Sequence, residues 1–206
     1  MQISYTILTH NETDSLLKLI EFLVKHKDEE DEIVILDDFS DNEKTKEILD
    51  TMCSMHEITF EQRHLLKDYA GQKNYLTRMA KGSYIVNIDA DEIPHKSLMK
   101  NIKPILESNS TIDLYWVPRV NTVEGLSQEH INKWGWRVDD KGWVNFPDYQ
   151  GRIWRNRPNI VWKNPVHEVL TGYKEHTYLP QEEEYCFYHH KEIDKQEKQN
   201  KFYEGI

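Results

Sequence analysis

Along its first 112 residues this chain switches hydrophobic period again and again, and few folds accept that pattern. Ile3–Thr9 is short, β-branched and aromatic, which predicts a strand. Leu16, Leu19, Ile20 and Leu23 then recur every three or four residues, predicting one face of a helix that ends near Lys27. Ile33–Leu36 is an unbroken apolar run, as expected of a strand covered on both sheet faces. Ser40 and Glu43 have capping-box spacing ahead of a helix carrying Ile48, Leu49, Met52 and Met55. A third strand is predicted over Ile58–Gln62, a helix over Gln72–Lys81 with Gly82 as its C′ residue, and a fourth strand over Tyr84–Asp89. Pro94 is expected to open a helix containing Leu98, Ile102, Ile105 and Leu106. Strands and helices in strict alternation define an α/β fold, a mainly parallel sheet with right-handed crossovers and helices on both faces. Ligands of such sheets bind beyond the carboxyl ends of the strands.

After Leu114 the alternation stops. Leu114–Val120 reads as a strand, and Asn121–Tyr149 is a long segment rich in Trp and charge, either a functional loop or the carrier of its own small helix. Short strands are predicted at Arg152–Trp154, Ile160–Trp162, His167–Leu170 and Glu184–His189, and a charged terminal helix over Lys191–Tyr203. With 26 Lys+Arg against 36 Asp+Glu the net charge is −10, and no basic block offers nucleic acid a footprint. The longest aliphatic run falls far short of the ~20 residues that cross a bilayer, so no transmembrane segment is expected, and membrane contact, if any, is peripheral. No signal-peptide pattern follows Met1. The lone Cys53 and Cys186 form neither a disulfide framework nor a zinc quartet, and the expectation is a cytoplasmic protein.

The chemistry-bearing residues gather at the expected strand ends. Asp89 and Asp91 lie two apart where the fourth strand runs out, so in extended backbone they face one target. Two hard oxygen ligands there suit Mg2+ or Mn2+ that also takes phosphate oxygens; the alternative is a solvated acidic turn before the Pro94 helix. Asp37 and Asp38 end the second strand near the same edge, and Thr9, His10 and Asn11 end the first. Arg152 and Arg155 flank Trp154 in an alternating segment; Arg152 suits a diphosphate and Arg155 a surface ion pair. Trp134, Trp136 and Trp143 either offer aromatic faces for a ligand to stack on or fill the core. His167–Glu168 is not a zinc-protease pair, because Thr171 stands where H-E-x-x-H needs its second His. No G-x-G-x-x-G follows the first strand, which disfavours a dehydrogenase.

Five blocks in order, TILTHNE, VILDDFSDNEKT, DYAGQKNYLTRMAKGSYIVNIDADE, GRIWRNRPNIVWKNPVHEVL and YHHKEIDKQEKQNKFYE, resemble family 2 glycosyltransferases of the GT-A fold, the bacterial lipopolysaccharide type in particular. The resemblance spans nearly the whole chain. It implies one domain over 1–206, with a nucleotide-sugar half (1–112) and a smaller acceptor-side half with the terminal helix (113–206). It implies inverting, metal-dependent transfer of a hexose from a nucleoside diphosphate, usually UDP, to a hydroxyl of a saccharide or glycolipid. Thr9 and Asn11 would line the nucleotide pocket and Asp37 would bond the base; Lys73 and Asn74 would approach the nucleotide and diphosphate. Asp89 would face ribose or donor sugar, and Asp91 would hold the metal with His189. Glu168 would be the base, with Asp139 and Asp140 in reserve; the other reading of Glu168 is a structural ion pair. Phe39 and Asn42 replace the Gly and the last acid of the usual D-D-G-S-x-D. Two other functions share these features: a nucleotidyltransferase, which would usually show an early Gly-rich loop absent from Thr9–Thr13, and a binding module without turnover.

Overall fold

Residues 33–36 belong to two hydrophobic clusters at once, and this organises the structure. Ile33 and Ile35 join one cluster with Ile3, Tyr5, Ile7, Val86 and Ile88; Val34 and Leu36 join the other with Ile85, Leu114 and Trp154. Period-two alternation between two apolar layers is what a strand buried on both faces must show. The computed structural model describes residues 1–203, with side chains as far as 198. In chain order its first half holds β1 (Ile3–Thr9), α1 (Asp14–His26), β2 (Glu32–Asp37), α2 (Glu43–Met55), β3 (Thr59–Gln62), α3 (Tyr69–Met79), β4 (Tyr84–Asp89), β5 (Glu92–Pro94) and α4 (Lys96–Ser108). The second half holds β6 (Leu114–Glu124), α5 (Gln128–Trp134), β7 (Val144–Arg155), β8 (Val161–Lys163), β9 (Val169–Thr171), β10 (His176–Tyr178), β11 (Phe187–Glu192) and α6 (Ile193–Tyr203).

The order β3-β2-β1-β4-β7-β6-β11-β5, with β10 also on β6, makes the main sheet; β8 and β9 form a separate antiparallel ribbon. β1, β2, β3 and β4 pair in parallel, as the alternation requires. β7 enters antiparallel to both β4 and β6, so the sheet is mixed beyond β4. The leucines of α1 and apolar residues of α2 and α4 pack on one face, while Ala70 and Leu76 of α3 pack on the other with Trp154 and Trp162.

Several boundaries differ from the sequence reading, each for a local reason. Asn42, not Ser40, caps α2, its side chain accepting from the Lys44 and Thr45 amides. α3 begins three residues earlier than predicted because Asp68 accepts from the Gly71 amide and caps it there. Gly82 is not its C′ residue; Ala80 ends the helix, and Gly82 is required because a Cβ would lie 2.6 Å from the Ser4 amide nitrogen. Pro94 closes β5 instead of opening α4, whose cap is His95. The Trp-rich segment carries its own small helix, α5, and supplies the ends of β6 and β7. His167 and Glu168 precede β9 in a loop.

A buried charge network ties the two halves of the main sheet together. Arg152 of β7, 4% exposed, donates to both carboxylate oxygens of Asp89 at the end of β4. It also donates to Glu92 Oε1 at 2.6 Å, and Arg119 of β6 reaches the same oxygen at 2.9 Å. Arg119 continues to Asp148 Oδ2 through Nε at 2.8 Å and Nη2 at 2.6 Å. Glu92, fully buried, thus carries two guanidinium groups. Burial alone would raise the Asp89 pKa, but Arg152 and Lys73 outweigh it and hold this carboxyl well below the ordinary range. A carboxyl depressed in the fold stabilises it above about pH 4 and ceases to do so as pH falls through the folded value. Arg152→Met, which leaves Glu92 and Asp89 short of a partner, should cost about 3 kcal/mol in urea denaturation at pH 7. The variant should also lose less of its remaining stability than the parent between pH 5 and about pH 3, because its Asp89, left with Lys73 and Arg119, is held down less.

Candidate active site

A cleft of about 640 Å3 opens at the carboxyl ends of β1, β2 and β4, where a parallel sheet presents its loops. Thr9, His10 and Glu12 line it from β1, Asp38 from β2, Gln72 and Lys73 from α3, and Asp89 and Asp91 from β4. Val166, His167 and Glu168 close the far wall. The buried Thr9 hydroxyl has no hydrogen-bond partner among the described residues, so this wall is short of a polar partner.

Asp37 lies outside the cleft lining. Fully buried, it accepts from the Ser40 amide at 2.9 Å, the Ser40 hydroxyl at 2.5 Å and Gln62 Nε2 at 2.9 Å. It holds its own loop, and the sequence carried the signal: an aspartate three residues before a serine is a turn pattern. Asp38, half-buried, faces the cleft instead, its Oδ1 accepting from the Leu65 amide at 2.8 Å. Asn11 is likewise spent on the loop. Its Oδ1 accepts from the Asp41 and Asn42 amides, both at 3.0 Å, and its backbone sits at φ 55°. Asn74 grips the ribbon, donating to Trp162 O at 2.8 Å and accepting from Trp162 N at 2.9 Å. Neither Asn11 nor Asn74 lines the cleft. Nor does Arg152, which is spent on the charge network.

The strand ends at Asp89 and a turn follows, so Asp89 and Asp91 do not share one target. Asp89 turns to Arg152; Asp91 turns to His189, whose Nε2 lies 3.4 Å from Asp91 Oδ2. His189 is buried on β11, and its Nδ1 is 2.8 Å from Asn121 Oδ1, which fixes the ring. His190 points away to Thr122, as the alternation predicts. Burial works against the charge on Asp91, but His189 and Lys195 outweigh it and keep the carboxyl well below the usual range.

Lys73 and Glu168 meet across the cleft with Nζ 2.5 Å from Oε1, and the ammonium also lies 4.3 Å from the centre of the Trp162 ring. The loop that delivers Glu168 turns through Asn164 at φ 70° and His167 at φ 55°, and Tyr69 N donates to Pro165 O at 2.9 Å. Asp139 and Asp140 stand apart from the cleft; Asp139 caps a turn by accepting from the Lys141 and Trp143 amides. Trp134 and Trp136 pack on each other, and Trp136 lines a second cavity of about 270 Å3 beside His189 and Asn121. Arg155 lies over the Tyr84 ring and donates to Ile112 O at 3.0 Å. The sequence reading missed Asp38 as the cleft-facing acid, Gln72, Glu12 and Lys195.

The donor chemistry of this rim bears on the metal expectation. Among the described residues no group of three or more His, Cys, Asp or Glu is arranged around one point. Both oxygens of Asp89 accept from Arg152, so its charge is largely answered within the protein. Asp91 and His189 do fit. A carboxylate oxygen and an imidazole nitrogen converge there, and a positive group, the Lys195 ammonium 3.3 Å from Asp91 Oδ2, already stands in for a cation. Two protein ligands are what Mg2+ or Mn2+ commonly uses when substrate phosphates and water complete its shell.

Comparison with known proteins gives this geometry a context. No curated protein sequence matches the chain. Among solved structures, S. aureus TarS superposes with a TM-score of 0.64 at 14% identity, over 92% of this chain and 37% of TarS. A TarS fragment, residues 1–349, in complex with UDP-GlcNAc superposes with a TM-score of 0.59 at 14% identity, over 92% of this chain and 58% of the fragment. The chain thus spans less than two thirds of either structure, and at this identity the likeness shows the GT-A fold. No described helix is long and apolar enough to cross a membrane. Residues 4–170 match the family model for glycosyl transferase family 2, and the chain belongs to that family of glycosyltransferases.

Proposed function

We propose that this chain transfers a hexose from a nucleoside diphosphate, UDP in the first instance, to a hydroxyl of a saccharide or lipid-linked saccharide, with inversion. The observation that carries the reading is the gathering of polar groups on one cleft at the carboxyl edge of the sheet. Thr9, Asp38 and Asp91 line it at the sheet edge, Gln72 and Lys73 from α3, and Glu168, paired with Lys73, from the loop before β9. The TarS fragment with UDP-GlcNAc bound supports a nucleotide-sugar donor. Nucleoside recognition falls to Thr9 and Asp38, since Asp37 is enclosed by its own loop. Asp91 and His189 would hold Mn2+ or Mg2+, which when bound offsets charge on the departing diphosphate.

In the transfer, Glu168 accepts the proton of the acceptor hydroxyl as its oxygen forms a bond to the anomeric carbon. The bond from that carbon to the β-phosphate oxygen breaks on the opposite side, and the nucleoside diphosphate leaves with the electron pair. Lys73, 2.5 Å from Glu168, orients this carboxylate and adds positive charge to the cleft. The halves 1–112 and 113–206 divide the work accordingly in this proposal, donor against acceptor.

Calorimetry with UDP, GDP and dTDP, with and without Mn2+, followed by assays of donor hydrolysis and transfer, tests the reading. UDP should bind more tightly with Mn2+, and turnover should follow. Binding with no turnover over a broad donor and acceptor panel would make the chain a binding module instead. Glu168→Gln should lower kcat by about 10²–10⁴-fold while leaving the UDP Kd unchanged. An unaltered kcat would remove Glu168 from the role of base. Asp38→Asn should weaken UDP binding about tenfold without changing the melting temperature, whereas Asp37→Asn should show its main effect as lost stability. The reverse pattern would return base recognition to Asp37.

A further inference from the structure

One cation bridges the cleft from an element that none of the assigned roles uses. Lys195, on the first turn of α6, sets its Nζ 2.6 Å from Glu12 Oε1 and 3.3 Å from Asp91 Oδ2. The two carboxylates come from different strand ends, Glu12 after β1 and Asp91 after β4, and both line the cleft. Asp91 is 19% exposed and Lys195 48%, so the ammonium covers the acid from the solvent side. Burial works against the charge of Lys195, but Glu12 and Asp91 outweigh it and raise its pKa. An ammonium offers three donors and no acceptor, and it seeks the same hard oxygens as Mg2+ or Mn2+.

A monovalent and a divalent cation cannot share one carboxylate oxygen without strong repulsion, because unit charges about 4 Å apart near a protein surface interact by several kcal/mol. The bond to Glu12 is the shorter of the two, so the contact to Asp91 is the one that yields. We propose that Lys195 is a resident cation of the metal rim: it satisfies Asp91 while the cleft is empty, surrenders that oxygen to a divalent ion, and stays tethered to Glu12. The terminal helix then sets the affinity of the rim for metal. A nucleoside diphosphate, by adding negative charge beside Asp91, tips the exchange toward the divalent ion. This inference rests on the reading of Asp91 as a metal ligand.

The test is Mn2+ binding without nucleotide, followed by the electron paramagnetic resonance signal of the free ion, on the parent chain, Lys195→Met, Lys195→Arg and Asp91→Asn. Lys195→Met should bind Mn2+ about fivefold more tightly than the parent, with Lys195→Arg no tighter than the parent. Asp91→Asn should bind none measurably. Equal or weaker binding by Lys195→Met, with Asp91→Asn still abolishing it, would overturn the role of Lys195 and leave Asp91 as ligand. Mn2+ binding indifferent to Asp91→Asn would overturn both. UDP affinity in the absence of metal adds a second readout. It should be the same in Lys195→Met as in the parent, whereas a tenfold loss would make Lys195 a phosphate contact and end the proposal.

Discussion

The fully buried carboxylate of Glu92 holds two arginines, and the shape of the cleft follows from that contact. Arg152 comes from β7, the strand that runs against both its neighbours, and Arg119 from β6 beyond it. Two guanidinium groups beside one another are tolerable only with acids between and around them. Glu92, Asp89 and Asp148 supply three negative charges against two positive. Losing one partner from such a buried set is costly, which locks the end of β4 to β7. The same lock separates the two aspartates of the D-x-D. Asp89 is drawn to Arg152, and the turn that follows sends Asp91 a different way, to His189.

The layered sheet was readable from the sequence because it rests on period alone. The alternation of residues 33–36 between two apolar layers and the α1 leucine spacing are both local properties, and both appear in the fold. Much of what escaped was decided by a partner distant in sequence. Asp89 and Asp91 look equivalent in extended backbone, and only Arg152, 63 residues on, distinguishes them. Asp37 had a turn signal in Ser40, three residues on, but its bond to Gln62, 25 residues on, had none. Lys195 is one charge in a mixed run, and nothing local marks it as the residue that reaches Glu12, 183 positions away. Caps fared little better. Ser40 had the right spacing for one, but its hydroxyl was already committed to Asp37 while Asn42 stood one residue before the helix.

Polar residues near the cleft therefore fall into those whose bonds hold loops outside its lining and those presented on the lining itself. Asn11, Asp37 and Asn74 hold, each with at least two hydrogen bonds to backbone or neighbouring side chains. Thr9, Asp38, Lys73, Asp91 and Glu168 are presented. In each holding case the residue stands next to a presented one: Asn11 near Thr9, Asp37 beside Asp38, Asn74 beside Lys73. A rigid neighbour fixes the backbone from which the lining side chain projects, so each lining group starts from a set position.

The ribbon of β8 and β9 shares no ladder with the main sheet; besides the packing of Trp162 against Trp154, Asn74 hooks it to α3 by a pair of bonds to a single residue. It behaves as a leaf pinned to a frame. Trp162 and Leu170 root that leaf in the second apolar cluster, so reshaping only its tip, the loop from Asn164 to Glu168, would recontour that side of the cleft while the roots and every rung of the frame stayed in place.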